Sequence, residues 1–178
     1  MRKNSEYTIP FVGLKQGYHQ FEYAIDNKFF ELFEYDEFNG SSIQVNVQME
    51  KKPNMLDFRF SASGKVNVNC DVTNEPYDQA IVNTLHLVVK FGDEFNDDDE
   101  ELLILPHGEF EIQIQQYIYE MCVLAVPLKR VHPGVLDGTL QSDVLDKLEE
   151  LSPKEDGEND QEEIDPRWNK LKNLFNDK

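Results

Sequence analysis

Two cysteines, Cys70 and Cys122, and four histidines, His19, His86, His107 and His132, are the side chains best suited to chemistry. A thiol beside an imidazole can act as nucleophile and base, and a tight cluster of both can hold zinc. Neither pattern is written here. The cysteines form no Cys-x-x-Cys pair, and the histidines fall on separate predicted elements without metal-ligand spacing. There is no Gly-rich phosphate loop and no Gly-x-Ser-x-Gly. The acidic run from Asp93 to Glu101 lacks the alternating ligands and the turn glycine of a calcium loop, so it reads as a solvated loop. The residues therefore argue against an enzyme. They imply no metal, no cofactor and no small-molecule substrate.

The elements that hold the two thiols explain their types. Val66, Val68, Cys70 and Val72 alternate with Asn67, Asn69 and Asp71, a period of two that marks a strand with one buried face. Cys70 at its end could be core or half of a reactive pair, and its phase with the valines favours core. Ile114, Ile118, Met121, Cys122 and Ala125 recur at helical spacing, Tyr117 and Leu124 widen that stripe, and Pro127 ends it. Cys122 is thereby a buried helix residue.

The strongest periodic signal lies between these two. Ile43, Val45, Val47 and Met49 alternate with polar residues, as do Leu56, Phe58, Phe60 and Ala62. Turns are expected at Lys51–Asn54, at Ser61–Gly64 and at Thr73–Pro76. Leu85, Leu87, Val89 and Phe91 share one side of a further strand, with His86 on the other. Before this meander, Tyr7–Leu14 and Tyr18–Ile25 read as strands, and Asp26 sits where it would cap a short helix rich in Phe29, Phe30 and Phe33. Leu102–Leu105 is a short strand. The spacing predicts an α+β fold: an antiparallel sheet, open or curling towards a barrel, with a central helix and a tethered C-terminal helix.

Charge narrows the partners. The chain has 178 residues and a formal net charge of −18. Phosphate backbones repel such a chain, whereas a basic protein is attracted to it over long range. Two places are locally basic. Lys129 and Arg130 open a loop, and Arg167, Lys170 and Lys172 stud a terminal stretch whose Trp168, Leu171 and Phe175 share one helical face. Lys129, Arg130, Arg167, Trp168 and Leu171 are the candidate binding residues. Residues 1–151 read as a β-rich domain, 152–163 as an acidic flexible linker and 164–178 as an amphipathic helix. No apolar run suggests a secretory signal or a membrane span, so a cytoplasmic protein is expected.

The Ile-rich helix running into "VLAVPLKRVHP", the acidic linker and the closing "IDPRWNKLKNL" resemble the YceD family, named for large ribosomal RNA subunit accumulation. The resemblance runs from about Ile43 to Phe175, fits the first forty residues only loosely, and is closest in style to Bacteroidetes-type members. It implies a non-enzymatic role in ribosome biogenesis, with a ribosomal protein or ribosomal RNA as partner. Many members carry Cys-x-Arg-Cys at the meander strand and more cysteines after the helix, a set that could hold zinc. Here Val72 and Thr73 stand at the Arg and second Cys positions, and Lys129–Gly138 has no cysteine. A protein-interaction module without a ribosomal role is the alternative.

Overall fold

Three long strands carry the alternating residues. They are β3 (Gly40–Lys51), β4 (Met55–Asn69) and β5 (Pro76–Gly92) in a computed structural model that describes residues 5–99 and 101–152. Val45, Val47, Met49, Leu56, Phe58, Val66, Val68 and Val89 have no exposed surface. Each large apolar side chain so buried contributes about 1.5–3 kcal/mol, well above the ~0–1 kcal/mol of a surface ion pair. The apolar alternation therefore fixes the register, pairing Val47 with Phe60 and Phe60 with Leu85.

The turn expected at Ser61–Gly64 is not formed. β4 runs straight through it, and the reason is in the phase: Leu56, Phe58, Phe60, Ala62, Val66 and Val68 are all even-numbered, so no face change occurs. Gly64 serves the packing instead. A Cβ there would lie 2.3 Å from the Ser42 carbonyl oxygen and 2.7 Å from Ile43 Cα, so only glycine lets β3 pass this close.

Five further strands complete the sheets. β1 (Thr8–Pro10) pairs antiparallel with β8 (Glu111–Gln113), where Thr8 Oγ1 also donates to Gln113 Oε1. β2 (Gly17–Ile25), β6 (Asn96–Asp99) and β7 (Leu102–Pro106) join the large sheet, in the order β2-β3-β4-β5-β7-β6. The two outer strands do not pair with each other, so the sheet is open and not a barrel. β5 and β7 run parallel, the one parallel pair among the described residues of this otherwise antiparallel sheet. The acidic run is partly ordered as β6, which lies on the outer edge of β7.

Helices cover the apolar face. α1 (Asn27–Glu31) starts at Asp26, whose Oδ1 accepts from Lys28 N–H at 3.0 Å as a cap. Its Phe29 and Phe30 are buried, and Phe33 just beyond it stacks on Tyr119 at 4.0 Å. Tyr119 belongs to α2 (Gln115–Leu124), the expected central helix, which buries Ile118, Met121 and Cys122. The α2 stripe is narrower than expected, because Leu124 is 78% exposed. α3 (Pro133–Leu136) is a single turn in the basic loop. The described residues up to Ser142 form one compact unit, and those from Asp143 onward belong to a second. In the second, α4 (Asp143–Leu151) buries none of its side chains. The expected linker beyond Ser152 and the terminal helix lie outside the described residues.

Candidate functional site

At the end of β4 the chain turns back tightly. Cys70 N–H donates to the Glu75 carbonyl at 2.9 Å, Asn74 N–H donates to the Cys70 carbonyl at 2.8 Å, and Asn74 takes a φ of 60°. This turn is clasped by the basic loop. Asp71 N–H donates to the Arg130 carbonyl at 2.7 Å, and Arg130 N–H donates to Asp71 Oδ2 at 2.6 Å. The Arg130 guanidinium pairs with Glu37 at 3.1 Å and with Asp71 at 3.5 Å. His132 caps α3, its Nδ1 accepting from Gly134 N–H at 2.9 Å, and its ring stands edge-on to Tyr77.

Cys70 is buried, as its phase implies, and its sulfur is held by donors. His132 N–H reaches it at 3.3 Å. Burial pushes the thiol up, but hydrogen bonds from His132 N–H, from the Thr73 side chain and backbone, and from Val72 N–H outweigh it and bring it down to about 7. Cys122 has no such donors, and burial alone pushes it up to about 12. The donor set around Cys70 does not fit zinc. Thr73 brings a hydroxyl where a thiolate would be needed, and His132 Nδ1 already accepts from Gly134 N–H. Among the described residues no three His, Cys, Asp or Glu side chains converge as metal ligands.

A second charged cluster was not legible in the sequence. On the polar face of the sheet His86 Nε2 lies 3.0 Å from Asp57 Oδ1, and Lys52 lies 3.3 Å from Asp57 Oδ2. Burial works to raise the Asp57 carboxyl, but the bonds from His86 and Lys52 hold it below its ordinary value. The signal was the cross-strand register: His86 faces Arg59, two residues along the same face from Asp57. An Asp–His pair can support a nucleophile, but among the described residues no hydroxyl or thiol hydrogen-bonds to His86. The same face gives little to RNA. Of its cations, Lys52, Arg59 and Lys65 each lie beside a carboxylate, Lys90 is exposed with no ion pair among the described residues, and Tyr18, 69% exposed, is its large exposed aromatic at the rim.

The candidate binding residues are thus divided. Lys129 is exposed, its neighbour Arg130 is engaged by Glu37 and Asp71, and Arg167, Trp168 and Leu171 lie outside the described residues. Among the described residues no helix is long and apolar enough to cross a membrane.

Comparison with known proteins gives one finding. No curated protein and no solved structure matches the chain. A family model described as "Large ribosomal RNA subunit accumulation protein YceD" matches residues 58–175, from within β4 through the terminal "IDPRWNKLKNLF" stretch. Covering more than half of the chain, that match establishes that the protein belongs to the YceD family.

Proposed function

We propose that the protein supports accumulation of large-subunit ribosomal RNA in the cytoplasm as a binding factor rather than a catalyst, and that its direct partner is a basic ribosomal protein. The observation that carries this reading is the net charge of −18 on a member of a family named for ribosomal RNA accumulation. Ribosomal RNA and this chain repel each other, whereas a lysine- and arginine-rich protein is drawn to it. Covering such a protein's basic segments until they meet RNA would prevent wrong contacts during assembly.

Direct RNA binding through Lys129, Arg130 and the terminal Arg167, Trp168 and Leu171 is the competing reading. The pairing of Arg130 with Glu37 and Asp71 weighs against it. Affinity capture with the full chain from a nuclease-treated lysate separates the two. Retention of basic large-subunit proteins after RNA is destroyed is the expected result. Their loss together with the RNA would contradict direct protein binding.

A further inference from the structure

A groove in the first unit lies between α2 and the strands β5, β7 and β6, with a volume of about 660 Å³. Its floor is apolar: Leu85, Leu103, Leu105, Ile112, Tyr117 and Met121. Two more apolar side chains stand at it in contact with solvent, Phe95 at 57% exposure and Leu124 at 78%. Together with the floor they carry the apolar lining out to the solvent, and it is such a continuous patch, not a single exposed residue, that suits a partner. The walls carry Asp97, Asp99, Glu109, Glu111 and Glu120, all exposed, and no lysine or arginine lines the groove. Among the described residues none of these carboxylates has a cationic partner. Their field is felt at the floor. Burial, then Asp97 and Glu120, push the Tyr117 hydroxyl up to about 12.

An apolar floor with acidic walls is complementary to one kind of ligand: a peptide segment with apolar residues on one side and lysine or arginine on the other. A membrane surface or a nucleic acid would meet the wrong sign of charge. We infer that this groove is where a basic amphipathic segment of the protein partner docks. The inference rests on the proposed function, since it locates the partner which that reading requires.

The test uses the full chain and a labelled synthetic peptide with lysines on one helical face and leucine and tryptophan on the other, followed by fluorescence anisotropy. Replacing Glu109, Glu111 and Glu120 together by Gln is expected to weaken binding about tenfold, because close charge pairs at interfaces carry energies of this order. Phe95→Ser with Leu124→Ser, both at exposed positions, is expected to weaken it about threefold or more. Neutralising Glu22, Glu31 and Glu34, exposed acids of the same unit that do not line the groove, with the same total charge change, is expected to alter it less than about twofold. Equal losses from the groove and distant sets, or equal binding of a scrambled peptide of the same composition, would overturn the inference. The lysate capture separates its failure from that of the proposed function. If the groove variants still retain basic ribosomal proteins, the groove is wrong and the function stands. If the wild-type chain retains none, the function itself fails.

Discussion

Glu37 and Asp71 face Arg130 at 3.1 and 3.5 Å where β4 turns, whereas Asp97, Asp99, Glu109, Glu111 and Glu120 line the α2 groove without a cation among the described residues. Both regions are acidic, but they use their charge differently. At the Cys70–Arg130 junction negative charge is neutralised within the chain and joins a turn to a distant loop. At the groove it stays uncompensated above an apolar floor. Carboxylates of the first kind hold the fold together; those of the second kind are available to a partner and, by mutual repulsion, do the fold no good.

The largest effect expected from this contrast is at the junction, and it depends on pH. The Cys70 thiol lies at about 7 in the fold against an ordinary 9.0. A lowered value means that the folded state favours the thiolate. The resulting stability is fully present above the ordinary value and disappears as pH falls through about 7. In urea denaturation, the advantage of the wild type over Cys70→Ala is expected to grow by about 2 kcal/mol between pH 7 and pH 9. A pH-independent difference would show that the donors around the sulfur do not hold a thiolate. Next in size is the groove. Its triple Glu→Gln variant is expected to lose about tenfold in peptide affinity, a matter of about 1.4 kcal/mol, with a Tm equal to or above the wild type's. A lowered Tm would mean that those carboxylates are structural after all.

Arg130→Ala is expected to behave in the opposite way. Its partners are partly solvent-screened, so the loss is about 1 kcal/mol, a Tm drop of about 2–4 °C, with peptide binding unchanged. The smallest effect is expected at the already paired Asp57. Asp57→Asn costs about 0.5–1 kcal/mol near neutrality. The two proteins converge in acid, since a carboxyl held below its ordinary 3.8 loses its contribution as pH falls through the lower folded value. Acid denaturation curves that stay parallel would remove the Asp57–His86 bond from the account.

Much of the sheet was legible because buried strands alternate. β3, the even-numbered face of β4 and the inward side of β5 follow from apolar residues at every second position. The error at Ser61–Gly64 came from giving small residues more weight than an unbroken phase. The parallel pairing of β5 with β7 had no local signal, since Leu102–Leu105 does not alternate and partner choice depends on the path of the chain. The junction was half visible. Lys129 and Arg130 stand out as basic, but the acids that engage Arg130 lie 93 and 59 residues away. The groove was not visible, because its lining comes from β5, β6, β7, β8 and α2, and nothing in the α2 stripe distinguished exposed Leu124 from buried Met121.

The central claim is that this acidic protein supports large-subunit ribosomal RNA by binding a basic partner through the groove. The most direct measurement is the ratio of large- to small-subunit ribosomal RNA in cells that lack the protein, restored with either the wild-type gene or the groove triple variant. The account predicts a selective fall in large-subunit RNA on deletion, repaired by the wild-type gene and not by the variant. An unchanged ratio on deletion, or full repair by the variant, would contradict it.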